Sequence, residues 1–182
     1  MLIHLASLIS HRDQYEEKEF KAVNIEGTRN ICNFYKNSKI VYISTKDVER
    51  EKLDPYAESK MEAEKIVAAN KKNLVVRLPS VFGPNQRQVN KLIPKLFRHF
   101  KENEEISIVS NDQREYVFVD EAVEQIINSI NKTGLIRVEG AKIHNLRLKD
   151  LIESIFTNKT VANTNPDEQK MLTWLRATAE KL

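Results

Sequence analysis

The chain has 182 residues, of which 41% are hydrophobic and 30% charged, a composition typical of a folded globular protein. Its 29 basic and 26 acidic residues leave a net charge of +3 and, apart from Lys71 and Lys72, the basic residues are dispersed, which gives no electrostatic footprint for nucleic acid. No apolar run is long enough for a membrane span and no basic leader is seen, so a cytoplasmic location is expected. The single cysteine, Cys32, excludes a disulfide framework and a cysteine-rich zinc site, and we predict no metal site.

The first half of the chain alternates between apolar and helix-like segments. Short, almost continuously apolar runs over 2–6, 40–43 and 74–78 are typical of strands buried on both faces of a parallel sheet. Helical spacing of apolar residues predicts helices over 20–35 and 56–69 between them. This β-α-β-α-β order predicts an α/β fold with a partial doubly wound, Rossmann-like parallel sheet.

The pattern after Gly83-Pro84 is looser and predicts a small α+β lobe. Within it, Asp120 is expected to be a helix N-cap. We expect the Rossmann-like part over 1–83, the lobe over 84–160 with some segments returning to the sheet, and a linker with a C-terminal helix over 161–182. The elements expected in the second half are helices over 89–100, 120–131, 148–156 and 168–181, and strands over 106–109, 116–119 and 135–138.

Tyr56 and Lys60 lie at positions i and i+4 of a predicted helix, one turn apart on one face. A nearby ammonium favours the phenolate and lowers the pKa of a tyrosine, so such a pair can transfer a proton alongside hydride transfer. Taken alone, the Tyr-x-x-x-Lys spacing is a weak signal, because lysine is common on solvated helix faces.

The hydroxyls of Ser44 and Thr45 strengthen that signal. They follow the apolar run at 40–43, at the carboxyl edge of the predicted sheet, where ligands bind in open α/β folds. Tyr56 comes eleven residues after Thr45, directly behind the helix-start signal Asp54-Pro55. Hydroxyl and phenol can therefore meet over one crevice, and simple capping of the strand end is the alternative role for the hydroxyls.

Six motifs stand in order along the chain: HLAS at 4–7, NIEGT at 24–28, ST at 44–45, PYAESKMEAEK at 55–65, RLPSVFGP at 77–84 and REYVFVDEAV at 114–123. In this order they resemble the extended short-chain dehydrogenases of the NAD-dependent epimerase/dehydratase family, which act on sugar nucleotides. The resemblance covers about residues 2–155. Each motif alone is modest, but six in the family order are improbable by chance.

The resemblance implies an NAD(P)-dependent sugar-nucleotide epimerase or reductase. Tyr56 would be the acid/base, Lys60 would lower its pKa and hold the nicotinamide ribose, and Thr45 would polarise the sugar oxygen. The NAD or NADP site would include Tyr56 and Lys60, together with Leu5, Ala6, Ser7, Asn24, Ser44 and Pro79. The sugar nucleotide would contact Thr45, Ser80 and Arg114.

Arg114 would meet the diphosphate, a role suited to its planar fork of donors. The alternative for Arg114 is a surface ion pair with Glu115 or Asp112.

The sequence also departs from the family pattern. Lys46-Asp47 stands where family dehydratases have Asp-Glu, so a 4,6-dehydratase is the least expected member. Val48-Glu49-Arg50 replaces the usual V-Y-G and Ser80 replaces a common asparagine, which leaves the identity of the sugar open.

The family's glycine-rich NAD(P)-binding segment is missing from this sequence. The four glycines, Gly27, Gly83, Gly134 and Gly140, are too scattered to form a G-x-G-x-x-G loop. We therefore expect a truncated member that binds NAD(P) weakly by itself. It would associate, as a homodimer or with a complementing N-terminal half, through an unpaired apolar strand edge at 2–6 or through the helices at 20–35 and 56–70. The alternatives are a catalytically silent remnant or interaction subunit, or one half of a split enzyme.

Overall fold

The computed structural model describes residues 1–9, 15–86, 88–108 and 110–181, and the chain divides into two compact units. The first unit comprises Met1–Pro79 and Val123–Val138. The second comprises Ser80–Ala122 and Glu139–Leu182. The segment 123–138 thus belongs to the same unit as the N-terminal part of the chain, although it follows the first part of the second unit in sequence.

The described strands are β1 Leu2–His4, β2 Ile40–Thr45, β3 Leu74–Leu78, β4 Ser80–Phe82, β5 Gln113–Phe118, β6 Gly134–Arg137 and β7 Ala141–His144. The helices are α1 Glu17–Phe20, α2 Gly27–Phe34, α3 Pro55–Ala68, α4 Leu92–Glu102, α5 Val119–Ile127, α6 Asn145–Thr157 and α7 Pro166–Ala179. A π-helical turn, Lys21–Glu26, joins α1 to α2, and a 3-10 turn, Lys46–Glu49, follows β2. In the described part of the chain, none of these helices is both long and apolar enough to cross a membrane.

The first unit is built on a four-stranded parallel sheet in the order β1-β2-β3-β6. Val41 and Leu74 in the central strands are fully buried, as their continuous apolar runs predicted. Tyr42 and Val75 pack against Ala63 of α3 in one buried cluster. The predicted partial doubly wound parallel sheet of the α/β class is confirmed.

Strand β6 enters this sheet from a distant part of the chain and lies beside β3, with Leu74 opposite Gly134. The buried Asn73, just before β3, links the starts of three strands. Its side-chain carbonyl accepts a hydrogen bond from the N–H of Ile40 at 2.8 Å, and its backbone carbonyl accepts one from the N–H of Gly134 at 2.9 Å. One residue, through its side chain and its backbone, therefore helps to set the register of β2, β3 and β6.

The second unit contains a three-stranded sheet in the order β4-β5-β7, in which β4 and β5 are parallel and β5 and β7 antiparallel. Helices α4, α6 and α7 contribute to the same hydrophobic core as the strands. Its fully or nearly buried members include Phe82, Leu96, Phe118, Leu151 and Trp174.

Several sequence predictions are wrong in detail. Ile106 and Ile108 form no strand, because their alternation reflects side chains packed on the core of the second unit, and Val109 lies outside the described residues. Asp120 is not an N-cap, since α5 begins at Val119 and Asp120 lies in its first turn. Strands β4 and β7 were not predicted, because segments of three and four residues carry too little periodicity to be recognised.

Candidate active site

Two hydroxyls end strand β2. Thr45 is half-buried, and its Oγ1 accepts a hydrogen bond from the N–H of Asp47 at 3.1 Å, which caps the 3-10 turn behind the strand. Ser44 is buried, and its Oγ has no hydrogen-bond partner among the described residues. Thr45 thus has the capping role that was the alternative for it, while Ser44 retains an unused polar group at the carboxyl edge of the sheet.

Tyr56 lies in the first turn of α3. This helix begins at Pro55, and the side chain of Asp54 accepts a hydrogen bond from the N–H of Ala57 at 2.8 Å, as the helix-start signal predicted. Burial raises the pKa of the Tyr56 phenol to about 12, and the carboxylates of Asp47 and Asp54 add to this rise. The phenol is therefore neutral over the physiological range, and it lies close enough to Asp47, in the turn after β2, for that carboxylate to act on it.

Lys60 follows one turn later and is only 2% exposed. Its ammonium donates a hydrogen bond to the carbonyl of Ile43 at 2.7 Å and lies 4.2 Å from the centre of the Tyr42 ring. Burial lowers the pKa of Lys60 to about 8, against an opposing effect of Glu64. The lowered Tyr56 pKa that the resemblance implied is not found, because burial and two carboxylates act on the phenol in the opposite direction.

Beneath Lys60, strands β1 and β2 present a cross-strand pair of rings. His4 stands opposite Tyr42 in the parallel register, and the ring centres are 5.2 Å apart. The Nε2 atom of His4 is 3.0 Å from the Oγ1 of Thr28. Burial lowers the pKa of His4 and the Lys60 cation lowers it further, so folding favours the neutral imidazole.

Asn24 lies in the π-helical turn, is 1% exposed, and connects three segments. Its carbonyl accepts hydrogen bonds from the N–H of Leu8 at 2.8 Å and the hydroxyl of Ser7 at 3.1 Å. Its amide donates to the carbonyl of Leu8 at 3.0 Å and to the Oγ of Ser59 at 2.9 Å. Ser59 in turn donates to the backbone carbonyl of Tyr56 at 2.7 Å. The segment after β1 is thereby tied to the turn of α3 that carries the phenol.

The remaining residues expected at a cofactor also lie in the first unit. Leu5 and Ala6 are exposed just after β1, Ser7 is held by Asn24, and Pro79 is buried directly after β3. An ammonium has three donors, and the described residues provide Lys60 with one hydrogen-bond acceptor. Together with the unpartnered Ser44 hydroxyl, these spare polar groups fit a hydroxyl-bearing ligand such as a ribose.

The two residues expected to contact only the sugar nucleotide lie in the second unit. Ser80 begins β4 and is exposed, and Arg114 lies in β5 and is exposed. Among the described residues Arg114 is in no ion pair, whereas Asp112 accepts a hydrogen bond from Ser110 and Glu115 accepts one from the N–H of Gly140. The described residues contain no group of three or more side chains arranged to hold a metal ion.

Sequence reasoning missed three residues of this site. Tyr42 was treated only as part of an apolar strand, His4 as part of a motif, and Ser59 as a helix residue between Tyr56 and Lys60. The signal that could have identified Ser59 is its place on the face of α3 next to Tyr56. Nothing in the sequence pairs His4 with Tyr42, because that contact depends on the register of two strands.

A buried lysine one turn from a tyrosine lies at the carboxyl edge of a parallel sheet, the edge where ligands bind in open α/β folds, and the first unit is a Rossmann-like α/β fold. Residues 1–136 match the sequence model of the family described as NAD dependent epimerase/dehydratase. The chain therefore belongs to the NAD-dependent epimerase/dehydratase family. No match was found among curated protein sequences.

Solved structures share the fold. A mutant of UDP-glucuronic acid 4-epimerase from Bacillus cereus superposes with a TM-score of 0.81 at 17% identity, over 99% of this chain and 74% of that one. UDP-N-acetylglucosamine 4-epimerase from Methanobrevibacter ruminantium gives 0.78 at 21% identity, over 98% and 75%. RMD from Pseudomonas aeruginosa, in complex with NADPH, gives 0.73 at 17% identity, over 98% and 78%. At these identities the likeness shows the fold.

Proposed function

We propose that this chain takes part in NAD(P)-linked epimerisation or reduction of a sugar nucleotide. The observation that carries the proposal is Lys60, a buried ammonium fixed to strand β2 two residues before Thr45 and one helical turn after Tyr56. A charged side chain is costly to bury, and its retention with unused donors at a ligand-binding edge is typical of a functional group rather than a stabilising one.

Each of the three side chains has a distinct role in the proposed reaction. Tyr56 exchanges a proton with a sugar hydroxyl, Thr45 hydrogen-bonds the same oxygen, and Lys60 supplies the positive charge. With a pKa of about 8, Lys60 is mostly protonated at neutral pH. With a pKa of about 12, Tyr56 is protonated at neutral pH and is a weak acid, so a nearby cation is needed to stabilise the phenolate through which the proton is exchanged. Bound NAD or NADP would supply the hydride acceptor and donor.

The proposed cofactor contacts lie at the nicotinamide end. Lys60 and Ser44 have free hydrogen-bonding capacity for its ribose, and Leu5, Ala6, Ser7 and Pro79 would line it. Asn24 would act by holding the segment that contains Ser7. Ser80 and Arg114 would contact the sugar nucleotide, with the exposed guanidinium of Arg114 at the diphosphate. UDP-sugars are the first substrates to test, because the similar 4-epimerases are named for them.

The test is Tyr56→Phe, assayed in any form that turns over a panel of UDP-hexoses in the presence of NAD or NADP. The substitution deletes one hydroxyl, so the fold should persist while turnover falls about 100-fold or more. Tyr35→Phe, at an exposed tyrosine, is the matched control and should leave turnover unchanged. Turnover that survives in Tyr56→Phe would remove Tyr56 as the acid/base.

A second candidate function is a non-catalytic or incomplete partner: a silent remnant, an interaction subunit or one half of a split enzyme. It is favoured by the absence of any G-x-G-x-x-G loop within the 182 residues. Among the described strands β1 pairs only with β2, and Ile3 and Leu5 at this edge are 43% and 68% exposed. Such an edge can pair with a second copy or with another chain. Light scattering at micromolar concentration tests self-association, and a co-purified nucleotide-binding chain would favour the split enzyme.

A further inference from the structure

The ammonium of Lys60 packs against an aromatic ring and, among the described residues, forms no ion pair with a carboxylate. The ammonium donates a hydrogen bond to the Ile43 carbonyl at 2.7 Å and lies 4.2 Å from the centre of the Tyr42 ring. Glu64 lies one turn further along α3 and attracts the cation. However, both Glu64 oxygens are engaged by the guanidinium of Arg77, at 3.1 and 2.7 Å.

Neighbours other than Lys60 hold the Tyr42 ring in place. Tyr42 is 1% exposed in the centre of β2, and its parallel-register partner is His4, whose ring centre is 5.2 Å away. Thr28 of α2 contacts the Nε2 atom of His4 at 3.0 Å and so limits rotation of the imidazole. The ring is therefore held in one orientation by two strands and one helix.

We propose that Tyr42 is a positioning residue, whose ring holds the Lys60 ammonium at the carboxyl edge of β2 with its remaining donors directed to a ligand. The inference rests on the proposed function for its consequence, because Lys60 is the residue expected to hold the cofactor. Its physical content, a cation held over a ring, can be measured without any reaction.

The ring of Tyr42, and not its hydroxyl, should keep the Lys60 ammonium in position. The hydroxyl is buried without a hydrogen bond of ordinary geometry among the described residues, and Thr28, the side chain that it approaches, keeps its contact with His4 at 3.0 Å when the hydroxyl is removed. The attraction of an ammonium to an aromatic face comes from the quadrupole of the ring, which phenylalanine retains. Tyr42→Phe should therefore preserve the position of Lys60, whereas a side chain without a ring should not.

The test is proton–carbon NMR of the 182-residue chain labelled with ¹³C-lysine. Protons beside an ammonium above a ring are shifted upfield by the ring current, and the Lys60 signal is assigned by its loss in Lys60→Met. We expect an upfield Lys60 signal in the unsubstituted chain and in Tyr42→Phe, and its return to the ordinary lysine position in Tyr42→Met. Loss of the ring should also lower the pKa of Lys60 by about one pH unit, because the charged form loses its partner.

Two controls accompany these variants. Lys170 lies 4.7 Å from the ring centre of Trp174 in the second unit, so its ring-shifted signal should persist in every Tyr42 variant that folds. Tyr116→Phe removes another buried hydroxyl without a partner and should leave the Lys60 signal unchanged. A Lys60 signal at the ordinary position in the unsubstituted chain overturns the proposal even if Tyr42→Met does not fold. An unaltered signal and pKa in folded Tyr42→Met would also overturn it, whatever Tyr56→Phe does to turnover.

Discussion

The side-chain amide of Asn24 donates to the hydroxyl of Ser59 at 2.9 Å, and this bond joins the π-helical turn to helix α3. Ser59 in turn donates a hydrogen bond to the backbone carbonyl of Tyr56. On its other side Asn24 holds both the N–H and the carbonyl of Leu8. The segment after β1, where a cofactor contact is proposed, and the turn that carries the phenol are thus held by one buried amide.

Replacing Asn24 should destabilise the chain and loosen this connection. Asn24→Ala removes the acceptor of the Leu8 N–H and the donor to the Ser59 hydroxyl, and we expect a loss of about 2–4 kcal/mol in the free energy of unfolding. Asn24→Asp keeps the acceptor for the Leu8 N–H but loses both donors, so it should also destabilise. Urea unfolding measures both effects, with Asn33→Ala at an exposed position of α2 as control. Equal stability of Asn24→Ala and Asn33→Ala would contradict the bridging role.

A second prediction concerns the Arg77–Glu64 pair between β3 and α3. The side chains are 16% and 8% exposed, and the guanidinium meets the carboxylate through two nitrogens. Glu64→Gln leaves a largely buried guanidinium without its main counter-charge, so we expect a loss of about 3 kcal/mol in the free energy of unfolding. Glu62→Gln breaks the exposed pair with Lys65 and should cost less than about 1 kcal/mol. Similar costs in urea unfolding would show that Glu49, 2.8 Å from the same guanidinium, is a sufficient partner for Arg77.

Glu49, in the first unit, should make the free energy of unfolding depend on pH. Partial burial acts to raise the pKa of Glu49, but hydrogen bonds from Arg77 and Arg137 outweigh it, and the pKa is lowered. A carboxylate with a lowered pKa contributes stability that is complete above its unfolded value and disappears as pH falls through the folded value. The stability difference between the unsubstituted chain and Glu49→Gln should thus be constant near neutrality and shrink in acid, below about pH 4.5. Glu51→Gln, with the same change in charge at an exposed position, is the control in the same unfolding series.

Much of the first unit could be predicted from the sequence, because its signals are local. Strands β2 and β3 are continuous apolar runs, and α3 begins at the cap of Asp54. What could not be predicted depends on partners distant in the chain. Arg77 and Arg137 meet at Glu49 only because β6 lies beside β3. Tyr42 meets Lys60 only because α3 packs on β2. Periodicity gives the buried face of an element but does not give the neighbour that covers it.

Lys60 should reduce stability at neutral pH. Its folded pKa of about 8 lies below the ordinary lysine value of 10.5, so folding disfavours its charged form. The cost is fully present below pH 8, where folded and unfolded chains are both protonated, and declines as pH rises toward 10.5. Lys60→Met should therefore raise the free energy of unfolding by up to about 3 kcal/mol at pH 7, with the gain vanishing in alkali. Lys65→Met, at an exposed lysine, is the control, and a destabilised Lys60→Met would show that its contacts outweigh its burial.

The last prediction is that the 182-residue chain by itself binds NAD and NADP weakly, although Tyr56, Lys60 and Thr45 are all present. In Rossmann-like folds the pyrophosphate is held by backbone N–H groups of a glycine-rich turn at a helix N-terminus. The 182 residues contain no such turn, and the groups proposed here contact the nicotinamide end. Losing two or three charge-assisted hydrogen bonds, at about 1.5–3 kcal/mol each, weakens a micromolar site by about a thousandfold or more. Calorimetric titration of the purified chain should therefore show no saturation at micromolar cofactor. A micromolar dissociation constant that is lost in Lys60→Met would show instead that the nicotinamide end suffices, and the second candidate function would lose its main support.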